Sequence, residues 1–75
     1  MKDYAKIFGR NLARARDARG MTQPELAEKA GGGLSTPYIS HVEHGHSNLT
    51  IRQCERFAQA VGIPLDLLFD PKGGR

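Results

Sequence analysis

The feature of this sequence that most constrains its fold is a series of short segments whose apolar residues recur every three or four positions, with glycine between the segments. Such spacing places the apolar residues on one face of an α-helix. The first segment predicts a helix over about residues 2–19 that ends at Gly20, with the apolar residues Tyr4, Ile7, Phe8, Leu12 and Ala15. The alternating pattern of a β-strand is absent from the sequence, so we predict an all-α fold.

A second helix is predicted by the run Thr22-Gln23-Pro24-Glu25, which has the form of a capping box. In such a box the threonine hydroxyl caps the helix and the Glu25 side chain reaches back to the backbone. Pro24 is tolerated because it lies in the first turn, where its missing N–H is not needed. The helix is expected over about residues 23–30, with an inward face of Leu26, Ala27 and Ala30.

Three consecutive glycines at positions 31–33 then break the chain and predict a flexible turn. Ser35 follows as the cap of a third helix, expected over about residues 36–44 and ended by Gly45. The inward-facing residues of this helix are expected to be Ile39 and Val42.

Two more helices complete the chain. Thr50 is predicted to cap a fourth helix that ends at Gly62, with a buried face of Ile51, Cys54, Phe57, Ala58 and Val61. Pro64 opens a short fifth helix that carries Leu65, Leu67, Leu68 and Phe69. We therefore expect one domain of five short helices over residues 1–70, followed by a polar tail at residues 71–75.

Length and composition exclude several classes of protein. A chain of 75 residues supports one small core. Its single cysteine, Cys54, cannot form an internal disulfide, which is typical of a cytoplasmic protein. No stretch approaches the roughly 20 apolar residues of a membrane span, and no signal-peptide pattern is present, so no membrane partner is expected.

The net charge of +3 is unevenly distributed along the chain. The first 20 residues contain only two acidic residues, Asp3 and Asp17, against the six basic residues Lys2, Lys6, Arg10, Arg14, Arg16 and Arg19. A basic helix is typical of a flank that faces nucleic-acid phosphates. It is equally typical of an ordinary solvated surface, so charge alone leaves both interpretations open.

A set of specific residues distinguishes between these two interpretations of the basic helix. The segment Arg16-x-x-x-Gly20-Met21-Thr22-Gln23-x-x-Leu26-Ala27, followed by Tyr38-Ile39-Ser40-x-Val42-Glu43-x-Gly45, closely resembles the Cro/repressor-type helix-turn-helix family. The resemblance continues through Asn48-Leu49-Thr50 and the stretch from Phe57 to Leu68, and it covers about residues 7–69. Within the family, the run from Tyr38 to Thr50 is most similar to the controller proteins of restriction–modification systems.

The resemblance implies a lambda-repressor-like domain that binds double-stranded DNA. It identifies residues 36–44 as the recognition helix, whose N-terminal part lies against base edges in the major groove. The residues it assigns to base reading are Thr36, Pro37 and His41, and we add Tyr38 and Ser40 as candidates on the same segment.

The resemblance also assigns residues that position the protein on DNA. Gln23 takes the place of a residue that clamps a phosphate at a helix N-terminus. Further backbone contacts are expected from Arg10, Arg14, His44, His46, Ser47 and Asn48. Arg16 and Glu43 match a pair that forms a partly buried structural salt bridge in the family.

The sequence departs from the family pattern in three ways. The turn after the second helix is two residues longer than usual because of the extra glycines, which affects the tilt of the recognition helix. Pro24 removes one N–H that could bind phosphate. The reading positions lack Arg, Gln and Asn, the best bidentate partners of bases, so specificity is expected to depend on His41, on apolar contacts to thymine methyls and on DNA shape.

Other kinds of site are weakly supported. His41, His44 and His46 have helical spacing for a shared metal ion, but no further ligands with fixed geometry accompany them. The glycines at 31–33 lack the Gly-Lys-Ser/Thr of a phosphate loop. Ser40 and His41 are adjacent rather than placed as nucleophile and base. We expect no metal, no cofactor, no small-molecule ligand and no catalysis.

The sequence therefore predicts a transcriptional regulator that acts as a homodimer on a two-fold symmetric operator. The dimer surface is expected on helices four and five, where Leu65, Leu68 or Phe69 would be exposed. The alternative is an antitoxin or another protein-interaction module with the same fold, which would copurify with its partner.

Overall fold

The computed structural model describes residues 3–73, which form five helices. These are α1 (Tyr4–Ala18), α2 (Gln23–Ala30), α3 (Thr36–Glu43), α4 (Ile51–Val61) and α5 (Leu65–Leu68). No strand occurs in residues 3–73, so the all-α prediction with five short helices is confirmed. Lys2, the predicted start of the first helix, lies outside the described residues, as do Gly74 and Arg75 of the tail.

The helix boundaries follow from the capping residues. Thr22 accepts a hydrogen bond from the backbone of Glu25, whose side chain accepts one from the backbone of Thr22, so the predicted capping box is present. Thr50 forms a second box with Gln53 at the start of α4. Ser35 caps α3, which ends at Glu43, one residue earlier than predicted. Local side-chain chemistry therefore determines where these helices begin.

The core lies where α1, α2, α3 and α4 meet, and α5 closes it from one end. Its largest fully buried side chains are Phe8, Leu12, Leu26, Ile39, Val42, Phe57, Val61 and Leu68. Among the described residues, no helix is long and apolar enough to cross a membrane.

Two predicted exposures are wrong. Ile51 was expected in the core but is 65% exposed, because it is the first residue of α4 and lies at the rim of the packed region. Leu68 was offered as an exposed dimer residue but is completely buried. Its segment is held against α1 by Asn11, whose Nδ2 donates to the carbonyl oxygens of Leu68 and Asp70, both at 2.9 Å.

Candidate nucleic-acid interface

The outer face of α3 presents most of the predicted base-reading side chains together. Ile39 and Val42 are fully buried and fix which side of the helix points inward. Pro37, His41 and His44 are exposed, and their spacing of four and three residues places them on one face. Thr36 and Ser40 are half-buried beside them. The result is a largely polar surface along one side of α3.

Tyr38 lies at the edge of this surface. It is half-buried and packs against the hydrophobic core. Burial raises the pKa of its hydroxyl, and nearby Cys54 raises the pKa further. Tyr38 therefore leans toward α4, while Pro37 and His41 point to solvent.

Three histidines cluster at the C-terminal end of α3. The ring centroid of His46 is 6.1 Å from that of His41 and 6.1 Å from that of His44. His44 Nδ1 lies 2.7 Å from the carbonyl oxygen of Ser40, which can only accept, so Nδ1 is the donor. Within residues 3–73, no group of three or more His, Cys, Asp or Glu side chains is arranged to hold a metal ion.

Arg16 and Glu43 form an ion pair between α1 and α3. Arg16 Nε donates to Glu43 Oε2 at 2.6 Å, and Nη2 donates to Oε1 at 3.2 Å. The side chains are only 13% and 5% exposed. Arg16 Nη1 also donates to the carbonyl oxygen of Met21 at 2.7 Å, which ties the α1–α2 connection to the same pair. The hydrogen bond to Glu43 is the main cause that raises the pKa of Arg16.

Gln23 is attached to the same carboxylate. It is the first residue of α2, and its Nε2 donates to Glu43 Oε1 at 2.9 Å. Glu43 therefore accepts three hydrogen bonds from two side chains on two different helices. Sequence reasoning assigned Gln23 to a phosphate and missed this contact, since nothing in the local sequence joins positions 20 residues apart.

The basic residues of α1 divide between two sides of the helix. Arg10 donates to the carbonyl oxygen of Pro71 at 3.0 Å, and the guanidinium of Arg14 lies beside Gly73. The structure thus places both arginines along the C-terminal segment and not beside α3. Lys6, which sequence reasoning did not single out, packs against Gly45 just after α3.

The segment after α3 borders an apolar cleft of about 300 Å³. Ser47 and Asn48 line one side of the cleft, while His46 is exposed to solvent. Tyr4 and Ile51, which are 53% and 65% exposed, also line it, together with Phe8, Leu49, Cys54 and Phe69. An exposed apolar surface therefore lies close to the polar segment that follows α3.

Comparisons with known proteins identify a sequence family and a similar fold. Residues 12–68 match the family described as helix-turn-helix. The chain is 39% identical to the uncharacterized HTH-type transcriptional regulator y4dJ of Sinorhizobium fredii. The 61 aligned residues cover 81% of this chain and 77% of the relative. Its fold is similar to the restriction-modification controller protein C.AhdI of Aeromonas hydrophila, with a TM-score of 0.77 and 31% identity, over 85% of this chain and 94% of the other.

Proposed function

The chain belongs to the helix-turn-helix family of DNA-binding transcriptional regulators, and we propose that it binds duplex DNA as a symmetric dimer with α3 in the major groove. The family match and the fold support a regulator and not an enzyme. The similarity to a restriction–modification controller protein supports a regulatory role like that of a controller protein.

The observation that carries the proposal is the two-sided character of α3. Ile39 and Val42 anchor it in the core, while Pro37, His41 and His44 face solvent on the opposite side. The major groove of B-DNA is wide enough to admit an α-helix and exposes a distinct chemical pattern for each base pair. In this arrangement Thr36, Pro37 and His41 read bases, with Ser40 beside them.

Phosphate contacts come from the N-terminus of α2 and from the segment that ends and follows α3. Gln23 lies at the N-terminus of α2, where the helix dipole favours an anion. His44, His46, Ser47 and Asn48 end or follow α3 and flank it on the other side. Arg10 and Arg14 lie along the C-terminal segment, so in this proposal they contribute long-range positive potential and not direct contacts.

The dimer surface in this proposal is the exposed apolar region around the cleft. Tyr4 and Ile51 are the exposed large apolar side chains of the described residues, and Phe69 packs edge-on against Tyr4 with centroids 6.3 Å apart. The chain's longest extent is 32 Å. Two copies joined end to end along this axis have centres about 32 Å apart, close to the one helical turn, about 34 Å, that separates half-sites.

The proposal is tested by selecting duplexes from a random pool with the full chain and sequencing those retained. We expect an enriched two-fold symmetric site whose half-site centres are about 10 base pairs apart. Sedimentation equilibrium with the selected duplex is expected to give two chains per duplex. Enrichment of no common sequence would overturn the base-reading role, and one chain per duplex at all micromolar concentrations would overturn the dimer.

A further inference from the structure

The helices α2 and α3, which form the proposed DNA-binding unit, are joined by residues 31–35. The three glycines of this turn constrain the angle between the two helices little. Residues 31–33 all have positive φ, between +69° and +77°, a conformation that glycine adopts without strain. A Cβ added at Gly31 or Gly33 would meet nothing within 4 Å. The turn therefore lies in open space at these two positions.

The third glycine of the turn has one neighbour. A Cβ built at Gly32 would lie 2.8 Å from Nη1 of Arg56, the end of an exposed and flexible side chain on α4. Because this side chain can move together with the turn, the contact does not fix the position of the turn. The glycines therefore leave the angle between α2 and α3 to the packing of Leu26, Ile39 and Val42 in the core and to contacts at the other end of the two helices.

One such contact is the hydrogen bond between Gln23 and Glu43. Gln23 is the first residue of α2 and Glu43 the last residue of α3, so the bond joins the ends opposite the glycine turn. Glu43 is a fixed point, because it is 5% exposed and is held by two hydrogen bonds from Arg16. Apolar packing in the core holds the two helices together, and this hydrogen bond adds a directional constraint on their crossing angle.

We propose that Gln23 is a positioning residue that sets the tilt of α3 and thereby determines which bases Pro37 and His41 meet. This inference rests on the proposed DNA-binding function. It extends the phosphate role expected for Gln23, since a primary amide has two N–H donors and Glu43 engages one of them. A phosphate contact alone carries no sequence information, whereas a change of tilt alters base preference.

The test compares the full-length wild-type chain with Gln23→Ala on a duplex selected by the wild type and on its single base-pair variants. We expect Gln23→Ala to reorder the panel, with at least one relative affinity changed by about fivefold or more. Residual dipolar couplings of the free chains are expected to show a changed α2–α3 angle. Uniform loss of affinity across the panel, or an unchanged angle, overturns the inference.

Two further variants isolate the hydrogen bond itself. In Gln23→Lys the ammonium group can donate to Glu43, so the wild-type ranking is expected to return. Gln59→Ala removes an exposed amide from α4 and is the matched control, with ranking and angle unchanged. If the wild-type chain selects no duplex, the proposed function fails, and the dipolar couplings of Gln23→Ala still decide whether Gln23 sets the angle.

Discussion

Gly9 of α1 lies directly against the carbonyl oxygen of Val42 in α3, so that the two helices cross with their backbones in contact. A Cβ at position 9 would overlap that oxygen and lie 2.8 Å from the carbonyl oxygen of Glu43. Glycine inside a helix costs about 1 kcal/mol relative to alanine. This glycine permits the close crossing of α1 and α3, and the crossing brings the end of α3 within reach of Arg16.

We expect Gly9→Ala to lower the free energy of unfolding by about 1–3 kcal/mol, because overcrowding outweighs the gain in helix propensity. Urea denaturation at constant m-value measures the change. Ala18→Gly at the exposed end of α1 is the control for the propensity effect, with an expected loss of less than about 1 kcal/mol because it is the last helical residue. A more stable Gly9→Ala chain would show that α1 and α3 can separate without cost.

The Arg16–Glu43 pair is expected to behave as a coupled unit. Arg16→Ala leaves a nearly buried carboxylate with only Gln23 as partner, and should cost about 3 kcal/mol or more. The double variant Arg16→Ala/Glu43→Ala should lose less than the sum of the two single losses. Thermal unfolding of all four chains of the cycle measures the coupling, and additive losses would mean that the two charges do not interact.

Much of the fold could be predicted because its determinants are local. The capping box at Thr22 and Glu25, the serine cap at Ser35 and the threonine cap at Thr50 gave helix starts that the structure confirms. A cap and its partner lie three residues apart, so a single sequence contains both.

The exposure of single residues at helix ends could not be predicted in this way. Ile51 continues the apolar stripe of α4, yet whether the first turn is covered depends on where α1 and the C-terminal segment run. Leu68 is buried because Asn11, 57 residues earlier, binds its carbonyl oxygen. Similarly, the family resemblance pairs Arg16 with Glu43, but the bond from Gln23 joins positions 20 residues apart that only the folded chain brings together.

Base reading by α3 predicts a specific pattern of losses. His41→Ala and Thr36→Ala should each change which base pair is preferred at one position, by about 1–3 kcal/mol where a good contact is lost. Fluorescence anisotropy on the single base-pair panel measures this preference. Losses that are equal for every duplex in the panel would mean that these side chains touch only the backbone.

DNA binding is also expected to depend strongly on salt. Each phosphate that the protein neutralises releases counterions, so the logarithm of affinity should fall linearly with the logarithm of salt concentration. Titrations between about 50 and 200 mM salt give the slope. An affinity that does not change over this range would contradict a phosphate-contacting interface.

The apolar surface around the cleft predicts how the dimer can be weakened. Ile51→Gln replaces a 65% exposed apolar side chain with a polar one and should shift sedimentation toward monomer without lowering thermal stability at concentrations where both chains are monomeric. Gln59→Ala, on an exposed position of the same helix, serves as its control. A dimer that is equally strong in Ile51→Gln would place the interface elsewhere on the chain.

Cys54 gives a prediction about pH. Burial raises the pKa of its thiol, because the charged thiolate is disfavoured in the core. The unfolded chain therefore releases this proton at a lower pH than the folded chain, so its contribution to stability is present below the ordinary thiol pKa, about 8.5, and is lost as pH rises above it. Urea denaturation of the wild type from pH 7 to 10 should show this decline.

The contribution of Cys54 can be separated from that of Tyr38, whose pKa is raised mainly by burial and which therefore acts in the same direction. In Cys54→Ala the decline above the ordinary thiol pKa should be shallower, and only the part due to Tyr38 and other groups should remain. A thiol reagent is expected to react slowly with the native chain and rapidly in denaturing urea, because the thiolate forms only after the core opens. Equal rates in both conditions, together with identical pH profiles for wild type and Cys54→Ala, would show that the thiol is accessible in the folded protein.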